Sequence, residues 1–218
     1  MTKKLCSVVP LLLTIAVAAL AQERYLKPVD EAAKDPTFVS FRNQLTKAVA
    51  GKDASFIRSV LARDVMVNFG GASGPKAFME EWKNLAPTSE FWKDFGWAIS
   101  HGGKFETVRG SPKTFWAPYT FSAFPDDLDS GDYGVVTGER VRLRRSPSPT
   151  AEVVDYLSYN IAKAYFDGKE VDGWMQVVTL GGKRGYVAID FFHTPLDHRA
   201  GFVKRNGRWQ LSAFVSGD

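Results

Sequence analysis

The chain has 218 residues, with 28 Lys and Arg against 24 Asp and Glu and a formal net charge of +4. That near balance, with no long Lys/Arg block, gives a nucleic-acid partner no footing. A hydrophobic content of 44%, with six Trp and 16 Phe, excludes a disordered chain and leaves room for one large domain or two small ones.

Residues 1–21 read as a cleaved export signal. Lys3 and Lys4 form a basic start, Leu5 to Leu20 an apolar run, and Ala19-Leu20-Ala21 places small residues where a signal peptidase reads them. The apolar run is shorter than the roughly 20 residues a membrane span needs. The expected mature chain therefore starts at Gln22, works in the periplasm or the medium, and makes no stable membrane insertion. Cys6, the single cysteine, leaves with the signal, as do Lys3 and Lys4, so the net charge falls to +2. Such a chain has no disulfide, no Cys-ligated metal and no thiol nucleophile.

Residues 22–36 are polar, carry two prolines and read as a loose arm. Phe38, Phe41, Leu45 and Ala48/Val49 then recur at helical spacing up to Gly51. Asp53 suits the N-cap of a second helix with Phe56, Ile57, Val60 and Leu61 on its inner face. "DVMVNFGG" alternates, so Val65, Val67 and Phe69 are expected to point one way from a strand. Gly74-Pro75 opens a third helix with Phe78, Trp82 and Leu85 inward. "TSEFWKDFGWAI" reads as a short helix continuing as a strand through Trp97 and Ile99, and "KTFWAPYTFSAFP" as a strand marked by Pro118. Asp126 to Asp132 is expected to be an exposed linker.

From Tyr133 the helical period disappears. Strands are expected at Gly134–Thr137, Val141–Arg144, Ala151–Leu157, Ile161–Tyr165, Trp174–Thr179 and Gly185–Ile189. Asn206-Gly207, between two aromatic-bearing runs, is the strongest hairpin signal in the chain.

The stretch with Val141, Leu143, Arg144, Pro147, Val153, Val154 and Leu157, followed by Gly173, Trp174, Val177, Gly185, Tyr186 and Val187, resembles a bacterial SH3-like (SH3b) domain. Two departures stand out: "SYN" where that family has Gly after the Leu-ending strand, and "RRSPSPT" for its Pro loop. The resemblance implies a small barrel over about 134–192 that binds peptidoglycan or an envelope protein. Trp174, Tyr186, Phe191 and Phe192 are its candidate stacking surfaces. Arg140, Arg142 and Arg144 alternate on one strand face and suit a carboxylate.

Residues 22–132 resemble NTF2-like (cystatin-like) α+β domains, on "DASFIRSVLARDVMVNFGGASGPKAFMEEWKNL" and on the closing "GFVKRNGRWQLSAFVSGD". That likeness implies a body completed by the hairpin at 200–218, with 193–218 as linker and hairpin after the barrel. The expected class is α+β: N-terminal helices with an antiparallel sheet, plus the SH3-like barrel.

Catalytic chemistry finds little support. H-E-x-x-H, G-x-S-x-G, G-x-G-x-x-G and Walker loops do not occur. Asp190, His193, Asp197 and His198 carry zinc-type ligand atoms, but Pro195 denies them a helical pairing. "DDLDSGD" misses calcium-loop spacing, with Gly138 where the bidentate Glu belongs. No metal and no cofactor is expected. The expectation is an exported binding protein. Its rivals are an enzyme or small-molecule binder with an aromatic pocket of Trp82, Trp97 and Phe69, with Trp92 nearby, and a structural envelope protein docking by the barrel.

Overall fold

The computed structural model describes residues 22–108, 111–165, 171 and 173–217. The export-signal expectation falls on 1–21, outside the described residues. No helix among the described residues is long and apolar enough to cross a membrane.

The chain is α+β. Helix α1 (Pro36–Ala50) starts where Asp35 accepts from the Thr37 and Phe38 amides, with Pro36 preset at the first helical position. Its stripe of Phe38, Phe41, Leu45 and Ala48 is buried. Asp53 caps α2 (Ala54–Val60) through the Phe56 amide at 3.0 Å. Leu61, expected on that helix, is already extended and opens a strand. Helix α3 spans Gly74–Glu81, α4 Phe91–Ser100 and α5 Tyr119–Ser122.

Helix α4 corrects the expected helix-to-strand switch. Phe91, Phe95, Ala98 and Ile99 fall on one helical face and are buried throughout. Gly96 lies where a Cβ would come within 3.1 Å of the Val49 Cγ1 on α1. It lets the two helices approach closely.

The strands in chain order are β1 (Leu61–Met66), β2 (Lys104–Glu106), β3 (Thr114–Ala117), β4 (Tyr133–Val136), β5 (Val141–Arg144) and β6 (Val153–Leu157). They continue with β7 (Ile161–Ala164), β8 (Trp174–Thr179), β9 (Arg184–Ala188), β10 (Phe192–His193), β11 (Arg199–Arg205) and β12 (Arg208–Val215). One sheet has the order β1-β12-β11-β3-β2, and the other β10-β4-β7-β8-β9-β5-β6. Only β1 with β12 is parallel; every other pairing of named strands is antiparallel. Asn206 and Gly207 both hold positive φ (50° and 74°) in the β11–β12 turn, as a tight hairpin requires.

The five-stranded sheet lies under α1–α4, with an interior dense in rings. Phe38 meets Phe115 at 4.3 Å and Trp209 at 4.9 Å, and Phe214 meets Phe95 and Trp82 at 5.1 Å. Each such buried side chain stabilises the fold by about 1.5–3 kcal/mol. The seven-stranded sheet has a different interior, made of Val136, Val141, Leu143, Leu157, Ala162, Val177, Val187 and Phe192. A third cluster, Leu26, Tyr119, Val135 and Ile161, bridges the two.

Residues 22–36 are not a loose arm. Tyr25 bridges Asn160, the Leu26 amide donates to the Tyr159 carbonyl, and the Ile161 amide donates to the Arg24 carbonyl. Glu23 accepts from the Thr179 hydroxyl at 2.7 Å and from the Asn160 amide nitrogen at 3.1 Å. Further along, Asp30 bridges Gly103 and takes a two-pronged ion pair from Arg42. The arm thus ties one sheet to the other. The stretch from Asp126 to Asp132 is likewise anchored, by Arg24 on Asp127, by Lys163 on Asp132 and by Leu128 against the third cluster.

Candidate functional site

The outward face of the seven-stranded sheet carries a groove of about 550 Å³. It forms because β5, β8 and β9 alternate Val141, Leu143, Val177 and Val187 inward, which sends Arg142, Arg144, Trp174 and Ala188 outward. Gly185 lets β9 cross β5 tightly, since a Cβ there would sit 2.6 Å from the Arg144 carbonyl oxygen. Gly138 (φ 130°) and Arg140 (φ 54°) turn the chain into β5 and bring Arg140 to the rim.

Three arginines and one glutamate, Glu139, line this groove. The Arg140 guanidinium lies 4.8 Å from the centre of the Tyr156 ring, a cation–π contact. Arg144 donates through Nη1 to the Ala151 carbonyl at 2.6 Å, which fixes the loop it faces. Arg145 pairs with Glu152 at the outer side of that loop. Among the described residues no carboxylate pairs with Arg140, Arg142 or Arg144. Arg142 is exposed, Trp174 half-buried and Phe191 45% exposed at the rim. The groove therefore offers unneutralised guanidinium groups beside aromatic surface.

The sequence-derived residues divide clearly. Arg142, Arg144, Trp174 and Phe191 come together in the groove. Tyr186 shares their face, opposite Arg144 in register, and stands beside the groove. Phe192 does not belong there: it is 5% exposed and part of the sheet's interior. The short 3-10 turn at Ile189–Phe191 leads into β10, and one step of alternation there sends Phe191 out and Phe192 in, over Gly134. Arg144, at 8% exposure, serves the loop as much as the surface. Arg140 and Tyr156 complete the groove; Tyr156 lies opposite Arg142 in register with Arg140 over its ring, a pairing across two strands that alternation within one does not reveal.

The aromatic pocket expected from Trp82, Trp97 and Phe69 is not formed as one cluster. Trp82 is interior, against Phe91, Phe214 and His198. Trp92 is buried and donates to the Ala86 carbonyl. Trp97 is stacked between His101 at 4.3 Å and His193 at 3.8 Å. Phe69 is exposed, with the Arg199 guanidinium over its ring. Its alternation with Val65 and Val67 fails because β1 ends at Met66 and Asn68 Oδ1 accepts from the Ala72 amide to turn the chain. In the "DFFHTPLDHRA" stretch, His193 bonds Asp197 at 2.9 Å while His198 faces Asp94 at 3.5 Å. Among the described residues no three His, Cys, Asp or Glu gather into a metal-binding group.

No protein-family model matches the chain, and no curated protein matches it. Two solved structures are distantly similar. One is a Xanthomonas campestris protein described as a calcium/calmodulin dependent protein kinase II association domain, 10% identical, with TM-score 0.28 over 89% of this chain and 96% of that one. The other is an NTF2-like protein with a cystatin-like fold from Novosphingobium aromaticivorans, 11% identical, with TM-score 0.25 over 84% and 88%. At such scores neither likeness carries an argument for this chain.

Proposed function

We propose that this is an exported binding protein of the bacterial envelope, periplasmic or secreted, whose seven-stranded sheet is an SH3-like module for an acidic ligand. The ligand class is the carboxylate-bearing peptide or glycan of the cell wall. The helical body with the five-stranded sheet, read as NTF2-like, carries and orients that module. The observation supporting this is the groove itself: Arg140, Arg142 and Arg144 lack a carboxylate partner among the described residues and stand beside Trp174 and Phe191. A guanidinium fork meets a carboxylate in two parallel hydrogen bonds, and an aromatic face receives a sugar or an aliphatic stem.

The test is co-sedimentation of the chain from Gln22 with purified peptidoglycan sacculi, beside Arg142→Ala and Trp174→Ala. Both sites are at least partly open to solvent, so both variants are expected to fold. Removing one guanidinium from a carboxylate contact is expected to weaken binding by roughly tenfold or more. Binding is also expected to weaken as salt rises past the point where the screening length falls below about 5 Å. Equal sedimentation of both variants would remove the groove from the account, and no sedimentation of the parent would remove the wall.

A further inference from the structure

We infer that the seam between the two sheets is a second ligand site, built on Tyr119 and His101, for a small uncharged molecule bearing neighbouring hydroxyls, such as a sugar or a polyol.

A groove of about 390 Å³ opens where four parts of the chain meet. These are the arm at Pro28–Asp30, the end of α4, Tyr119 of α5, and Thr137, Gly138 and Tyr159 of the second sheet. Concave sites of this size at the junction of two folded units are where small ligands are usually held. The hydrogen-bonding capacity left open there is limited and specific.

Tyr119 is 1% exposed, and its hydroxyl, which has no hydrogen-bond partner among the described residues, keeps contact with solvent at the groove. Burial, with a smaller contribution from Tyr159, pushes its phenol up to about 12, so it stays an O–H donor at physiological pH. His101 offers the complement. Its Nδ1 lies 2.7 Å from the Trp97 carbonyl oxygen. A carbonyl only accepts, so Nδ1 carries the proton and Nε2 carries a lone pair. Nε2 has no partner among the described residues. Burial disfavours the charged imidazolium, outweighing the Trp97 carbonyl. The Tyr119 amide donates to the His101 carbonyl at 3.0 Å, so the two side chains are carried on one fixed backbone contact.

Several other polar groups around the groove are already engaged. The Val29, Gly138 and Tyr159 carbonyls accept from Gly103, Tyr159 and Leu26 amides. The Asp30 carboxylate is held by Arg42 and by the Ala32 amide. What remains is the Tyr119 donor, the His101 acceptor, the Thr137 hydroxyl, and the ring and hydroxyl of Tyr159, with no free charge. A carboxylate or phosphate would meet the Nε2 lone pair, and a cation would find its one carboxylate taken. Two adjacent hydroxyls fit: one accepts from Tyr119 while the other donates to His101 Nε2, with Tyr159 offering its ring.

The experiment is an NMR titration of the same protein with labelled histidine rings. The probes are glucose, xylose, N-acetylglucosamine and myo-inositol, with citrate as the anionic control. At least one neutral probe is expected to move the His101 ring signals in a saturable way, and citrate to leave them in place. Tyr119→Phe keeps the ring and removes only the hydroxyl, so it is expected to weaken that probe about fivefold with the melting temperature preserved. His101→Phe is expected to weaken it at least as much. The inference is overturned if no neutral probe moves His101, if Tyr119→Phe binds as tightly as the parent, or if citrate binds there better. Shifts confined to the Trp174 groove would overturn it as well and leave the wall-binding proposal standing.

Discussion

The two sheets use aromatic residues in opposite ways. Under the helices, Phe38, Phe78, Phe91, Phe95, Phe115, Phe202 and Phe214 fill the interior and are almost fully buried. In the seven-stranded sheet the interior is Val, Leu and Ala with the single ring of Phe192, while Tyr156 and Phe191 are 45% exposed. A helical layer opens a gap wide enough for rings to interlock, whereas the smaller interior of the seven-stranded sheet is filled by short aliphatics. The lesson is that a Trp or Phe of the helix-covered body is a packing residue until shown otherwise, and one on the seven-stranded sheet is a surface to be explained.

The sharpest break of that comparison is Phe95→Ala against Phe191→Ala. The first is expected to destabilise by about 3–5 kcal/mol through transfer and cavity terms. The second is expected to stay within about 0.5 kcal/mol, as exposed substitutions do. Urea midpoints read both, and similar losses would erase the distinction. Next comes Gly185→Ala, whose Cβ meets the Arg144 carbonyl oxygen at 2.6 Å and the Leu143 side chain at 2.9 Å. Overpacking of that kind is expected to cost about 1–3 kcal/mol and to disturb the arginine groove with it, seen together in melting and in sacculus binding.

A comparable loss is expected for Glu23→Ala, which leaves Thr179 and Asn160 without their shared acceptor; removing hydrogen bonds to a charged group costs about 1.5–3 kcal/mol. Hydrogen exchange at Asn160–Ala162 is expected to quicken before exchange in β11 and β12 does. Uniform quickening would show that the arm is no local fastener.

The smallest effect concerns pH. Burial, opposed by the Trp97 carbonyl and aided by His193, holds the His101 pKa below the ordinary imidazole value of 6.5. The unfolded chain therefore takes up this proton first as pH falls. The contribution to stability is complete above 6.5 and is lost progressively below it, until the folded protein protonates too. Stability measured from pH 7.5 to 5 is expected to fall less steeply in His101→Gln, and equal slopes would remove His101 from the pH response.

Much of the fold is written in local pattern. Asp35 and Asp53 mark two helix starts, and Asn206-Gly207 marks its hairpin, because each has a conformational demand that few residues meet. Val141–Arg144 and Trp174–Thr179 alternate as strands must. What escaped is what depends on a distant partner. Trp97 and Ile99 read as strand until Val49 of another helix lies against Gly96 and α4 is seen to run on through them. The arm looks loose until Asn160 and Thr179 supply its bonds, more than a hundred residues away. Phe191 and Phe192 are indistinguishable in composition, and only the register of β10 on β4 separates surface from interior. The groove residues were legible by alternation, whereas Tyr119 and His101 gave no signal, since neither stands in a recognisable spacing with the other.

The parallel pairing of β1 with β12 places the last strand in the interior of the first sheet, between β1 and β11. During synthesis the helices and β1–β3 emerge early but cannot shut their interior, because Trp209, Leu211 and Phe214 are added last. The body's closure therefore waits on a pairing between strands more than a hundred residues apart, which makes its interior a product of long-range order and not of local pattern.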